Sequence, residues 1–296
     1  MSKYVYYLLF FCSFLFPIKL FSQRNVQYLV TKDDPSAICK YWVYLDPLQM
    51  DAPFRNSYGL SFNAGIWAMG FVKKTTAFDV SARYGYGTLA TLTEASADPA
   101  IQAEGSLIYF YSDKTNPRKN TRIILRESKR YSYTMDASII TQKSIVIPAK
   151  RRNMHFIRAG AYTKQTPFKT DVNTNSNFKG NIRTAGVFIG IGKLNISNVF
   201  IRTNTDGSHA RSAIFRLYAD FLIAPVRSVY SSNNISVPST VKPFTGPLGY
   251  RIGMFAMPVQ RRIKGRSGIS VGAEFGSRPG EGLYATTSFM FCLSRR

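Results

Sequence analysis

From Ser57 onward the chain alternates between apolar and polar positions. In residues 248–257 the even positions Leu248, Tyr250, Ile252, Met254 and Ala256 are apolar, opposite Gly249, Arg251, Gly253 and Phe255. In 268–275 Ile269, Val271, Ala273 and Phe275 stand opposite Gly268, Ser270, Gly272 and Glu274. In 282–293 Leu283, Ala285, Phe289, Phe291 and Leu293 share a face that only Thr287 interrupts. Earlier stretches repeat the pattern at 57–68, 78–86, 103–111, 131–139, 157–161, 185–191 and 213–223, with a weaker run at 121–128. In 194–202 the parity changes midway, which predicts a bulge. A period of two places successive side chains on opposite faces of a strand. The pattern therefore predicts an all-β chain of about twelve strands, within a range of roughly 10–14.

The two faces differ in an informative way. One is greasy. The other mixes glycine and hydroxyls with single charges at Asp79, Arg83, Glu104, Asp136, Arg158, Arg216, Asp220, Arg251 and Glu274. A soluble sandwich would bury the greasy face and solvate the charges. A membrane barrel inverts this, with lipid outside and a polar lumen inside. Most of the alternating runs reach roughly 9–13 residues, the length of a tilted membrane-crossing strand, whereas soluble strands run to about 5–6. The expected fold is thus an antiparallel transmembrane β-barrel, its nine charges lining the lumen. No run of about 20 uninterrupted apolar residues follows the N-terminus, so any crossing must use a closed barrel.

Composition sharpens this picture. The 296 residues include 18 Tyr and 22 Phe but only 2 Trp, an aromatic load that suits interfacial girdles. Residues 1–22 read as a secretory signal: Lys3 precedes an apolar core, Pro17 and Lys19 interrupt it, and Phe21-Ser22 precedes Gln23. Residues 23–56 show no clean period and read as an irregular lead-in or plug, leaving 57–296 as the barrel. After removal of the signal, Cys39 and Cys292 are the candidates for one disulfide.

No motif for catalysis or cofactor binding stands up. Gly268–Gly272 matches G-x-S-x-G, but it lies mid-strand and no His follows Ser270. The Asn-rich run from Asp171 to Asn177 lacks the glycine and glutamate of a calcium loop. Gly65 to Gly70 has P-loop glycine spacing, but Phe71 replaces the lysine. His155 and His209 have no cluster of metal ligands beside them. The reading is therefore no cofactor, no metal and no enzyme, with His209 and Ser212 the nearest thing to a hydrolytic pair.

The formal charge is +23, with basic clusters at Lys150-Arg151-Arg152, residues 261–266 and Arg295-Arg296. Export argues against nucleic acid and for anionic lipid headgroups as counter-ions.

The signal, the tyrosine-rich hairpins and the stretch from Glu274 to Gly280 resemble the small outer-membrane β-barrel proteins of Bacteroidota. The resemblance spans 57–293. The chain departs from the usual barrel ending, because Cys292-Leu293-Ser294-Arg295-Arg296 follows Phe291 where a terminal aromatic is common. Some members of that group belong to secretion or outer-membrane assembly machines. The resemblance thus implies an outer-membrane location and other envelope proteins as partners. The expected function is a non-enzymatic structural or accessory subunit of an envelope machine, or a narrow porin-like channel. The alternatives are an outer-membrane lipid hydrolase and an exported soluble β-sandwich binding protein.

Overall fold

The computed structural model describes residues 27–36, 40–54, 60–88, 99–132, 137–173, 176–204, 207–231, 243, 245–258 and 269–293. The strands, in chain order, are β1 (Tyr28–Asp33), β2 (Tyr41–Pro53), β3 (Ser61–Lys73), β4 (Thr76–Thr88), β5 (Ile101–Ser132) and β6 (Ala137–Asn173). They continue with β7 (Ser176–Thr203), β8 (Gly207–Ser231), β9 (Leu248–Pro258), β10 (Ile269–Arg278) and β11 (Gly282–Cys292). Neighbours in sequence pair antiparallel from β2 to β11, and β11 then pairs with β2. That last pairing closes a ten-stranded barrel, at the low end of the expected range.

The even strand number brings both ends of the barrel wall together. Cys292 lies across from Tyr44, and the Leu293 N–H donates to the Val43 carbonyl at 2.7 Å. At this terminal end lie the β3–β4 turn and the starts of β2 and β10. At the opposite end, the β10–β11 turn passes through Gly280 and Gly282, at φ +81° and +95°. Those angles favour glycine because it lacks a Cβ.

The polarity is inverted as the alternation requires. Ile66, Val80, Leu107, Ile189, Leu217 and Ile252 are exposed on the outer wall. Asp79, Arg158, Arg216, Asp220 and Arg251 are buried inside. The outer apolar run on β5, from Ile101 to Tyr111, spans about 26 Å along the axis of a barrel tilted about 40°.

Three strand assignments differ from the sequence reading. First, β2 lies within 23–56 and is a wall strand. Its period is broken by an irregular register between Asp46 and Gln49, so Trp42, Tyr44 and Asp46 face inward on even numbers and Gln49, Asp51 and Pro53 on odd ones. Second, 185–191 and 194–202 form one strand. β7 runs unbroken past Lys193, where a turn was expected, and pairs with β8 in continuous register from Val187 to Thr203. Third, 121–128 is an extension of β5, and the described residues of 131–139 are divided between β5 and β6, with Tyr131 opposite Ser138. The turn expected at 128–130 is strand, and so is most of the loop expected at 165–181.

The extended parts of β5 and β6 form an arm beyond the terminal end. There β6 parts from β7 after Arg151 pairs with Ser197, and β1 takes over the edge of β7 from Val199 to Thr203. The arm packs over this sheet. Ile123, Leu125, Ile145, Ile147 and Ala149 enclose a second small core with Val199 and Ile201. On β7, then, the odd-numbered face meets the surroundings at Ile189 and Ile191 and the arm at Val199 and Ile201.

Candidate functional site

The bore of the barrel is filled in three layers. At the terminal end an apolar plug includes Trp42, Tyr44, Trp67, Met69, Phe110, Met154, Phe156 and Met290. Trp67 and Tyr218 both stack on Phe255, at centroid distances of 5.9 and 6.0 Å. Glycines make room for these rings: a Cβ on Gly192 would strike Phe156, and one on Gly272 would strike Phe255. Cys292 packs against this cluster from the last strand.

The middle layer is ionic. Asp220 accepts from Arg158 Nε at 2.8 Å and from Arg251 Nε at 2.5 Å, and pairs also with Arg158 Nη2. Asp79 accepts from Trp67 Nε1 at 2.5 Å and pairs with Arg216 Nη1 at 2.6 Å. Glu104 receives both terminal nitrogens of Arg251 at 2.6 Å. Glu274 accepts from the Tyr218 hydroxyl at 2.7 Å and from the Tyr284 hydroxyl at 2.5 Å. Arg158 lies 3.9 Å from the centroid of the Tyr218 ring. Arg83 reaches Asp46 at 3.3 Å.

A third layer lies toward the opposite end. Asp51 accepts from Lys164 Nζ at 2.7 Å and from Arg278 Nη1 at 2.7 Å. Glu281 accepts from Lys164 Nζ at 3.1 Å and Thr166 Oγ1 at 2.8 Å. Within the middle layer, against Trp67 and Phe255 of the plug, a cavity of about 30 Å³ bordered by Gln49, Gln102, Arg83 and Glu274 has room for about two waters. Such pairing is what a low-dielectric bore demands, since an unpaired buried charge is costly.

Eight of the nine expected lumen charges thus come together inside: Asp79, Arg83, Glu104, Arg158, Arg216, Asp220, Arg251 and Glu274. Asp136 lies outside the described residues. Sequence reasoning missed Asp46, Asp51, Lys164, Arg278 and Glu281. Asp46 and Asp51 sit on the irregular β2, and the other three in or beside stretches expected to be loop or turn.

The remaining candidates stay apart. His209 and Ser212 lie three residues apart on β8, so their side chains face opposite sides of the strand and cannot act as a pair. Ser270 is buried on β10, and its hydroxyl meets no base. No group of three or more His, Cys, Asp or Glu side chains able to hold a metal occurs among the described residues. Cys39, the signal, residues 261–266 and Arg295-Arg296 lie outside the described residues. Lys150 is exposed at the root of the arm, and Arg152 pairs with Asp113 at 2.5 Å.

No protein-family model and no curated protein matches this chain.

Proposed function

We propose that this chain is a signal-cleaved outer-membrane barrel of the kind found in Bacteroidota, acting as a non-enzymatic structural or accessory subunit of an envelope assembly or secretion machine. The filled bore carries this reading. The plug and the two ionic layers occupy the lumen, so the useful surfaces are the wall and the two ends. The apolar outer run of about 26 Å matches the hydrocarbon thickness that such barrels span. Anionic lipid headgroups are suitable counter-ions for the basic ends, and the arm offers a surface for envelope proteins.

A narrow channel is the second reading, because both ionic layers are polar. Planar-bilayer recording separates the two. A plugged subunit gives no unitary conductance at moderate voltage, whereas steady openings would favour the channel. Chemical cross-linking in intact envelopes, followed by mass spectrometry, tests the subunit reading. The chain should cross-link reproducibly to the same envelope proteins, and recovery of the monomer alone would overturn it.

A further inference from the structure

β1 is an open edge. It pairs with β7 on one side, and among the described residues no strand pairs with it on the other. The Gln27 carbonyl accepts from the Asn204 N–H, so Gln27 faces β7. Alternation along an antiparallel strand then aims the N–H and C=O of Tyr28 and Val30 away from β7. The Lys150 N–H is satisfied by both carboxylate oxygens of Asp33 at 2.9 Å, which bounds the open edge at one end.

This edge is also apolar and exposed. Leu29 is 67% exposed, and Tyr28 and Val30 are exposed beside it. Lipid does not account for that. The partner residues on β7 lie about ten positions beyond Ile191, which places β1 about 25 Å past the end of the outer apolar run. Natural edge strands are usually shortened, charged or covered, and an uncovered apolar edge is a template for another strand.

The surroundings are basic. Lys32 lies on β1 itself, Arg202 is opposite Leu29, Lys150 meets Asp33, and Arg211 lies across from Val199 on β8 with its guanidinium on the carbonyl of Arg122; all five are exposed. Among the acids whose side chains are described there, Asp33 accepts from the Lys150 N–H, Asp34 from the Ser36 N–H, and Asp113 pairs with Arg152. Although Arg211 is exposed overall, lost hydration around its guanidinium, together with Arg151 and Arg122, holds it below its ordinary pKa. An anion brought here would relieve that crowding.

We propose that the open edge of β1 docks an extended acidic segment of a protein partner, which adds to the sheet as a further strand. This rests on the reading of the barrel as a subunit of a larger machine. A lipid surface could answer the basic side chains, but it could not use the outward N–H and C=O groups of Tyr28 and Val30. A strand supplies both the main-chain hydrogen bonds and the charge.

The test uses the full chain in detergent and a synthetic peptide alternating Thr or Val with Glu, followed by fluorescence anisotropy. Val30→Pro removes an outward N–H and should weaken binding at least ~10-fold, while Val30→Ala should change it less than ~3-fold. Exchange protection of the Leu29 amide, which faces β7, reports whether β1 stays in place in the proline variant. If β1 is displaced, the same question is put to the wild-type chain with a peptide N-methylated at alternate amides, which should not bind. Equal binding of a Lys-substituted peptide overturns the proposal, as does binding that survives both Val30→Pro and methylation. Binding of phosphatidylglycerol vesicles that displaces the peptide and is unaffected by Val30→Pro also overturns it and assigns the surface to lipid. These outcomes do not depend on conductance, so the edge can fail while the subunit reading stands.

Discussion

Asp220 is where the middle ionic layer converges, because among the described residues it alone pairs with both Arg158 and Arg251. Replacing it with Asn leaves two buried guanidinium groups facing a neutral amide. Breaking a buried pair in this way costs about 3–5 kcal/mol. The Asp220→Asn variant should unfold at a clearly lower urea concentration, read as loss of the compact unheated band on a gel. Gln49→Leu is the contrast. Its side-chain oxygen is buried with no protein partner, so its loss should cost less than about 1 kcal/mol in the same assay. An equal shift in both variants would show that the layer acts only by packing. At this scale the sequence was legible wherever a charge sat among clean alternation. Arg158 between Ile157 and Ala159 can only point away from them. Asp46 and Asp51 could not be read, because the irregular register between Asp46 and Gln49 sets even and odd positions on the same inner face.

Among the elements, β2 and β7 show why strand counting drifted. Near the plug both faces of the wall are apolar: Tyr41, Val43 and Leu45 point outward, while Trp42 and Tyr44 point inward. Alternation therefore vanishes on β2, although the strand is there. On β7 the same happens beyond Leu194, where inner residues join the plug and outer ones join the small core under the arm. The parity change was a real signal, but its cause is a change of surroundings and not a bulge. The alternation along the arm reads as two further wall strands, since a local pattern cannot tell an outer wall from a packed layer. The separation of the two cores makes a prediction. Ile147 is fully buried in the small core, and Ile147→Ala should cost about 2–4 kcal/mol there. The damage should stay local. Limited trypsin digestion should cleave the arm of this variant faster, while the heat-dependent gel shift of the barrel stays unchanged. Concerted loss of both would mean that arm and barrel fold as one unit.

For the whole molecule, the decisive quantity is where the charge lies. Inside the bore, Arg83, Arg158, Lys164, Arg216, Arg251 and Arg278 meet Asp46, Asp51, Asp79, Glu104, Asp220, Glu274 and Glu281, so the interior is close to neutral. Among the described residues the excess positive charge then sits at the ends and on the outer surface. Much of it lies at the terminal end, where the arm carries Lys114, Lys119, Arg122, Arg126 and Lys150. An exported chain whose barrel closes last strand to first should keep both termini on the side from which it inserted. On the outer-membrane reading proposed above, the arm and the open edge of β1 would lie in the periplasm, and the β10–β11 turn outside the cell. Cysteine labelling tests this in a background free of Cys39 and Cys292. Lys119→Cys lies exposed on the arm. Gly246→Cys lies exposed at the opposite end, where the Gly246 carbonyl accepts from the Gly280 N–H of the β10–β11 turn and a Cβ would meet no neighbour. A membrane-impermeant maleimide applied to intact cells should label the Gly246→Cys protein and spare the Lys119→Cys protein until the outer membrane is permeabilised. The reverse pattern would place the basic arm outside the cell, where a periplasmic partner could not reach β1.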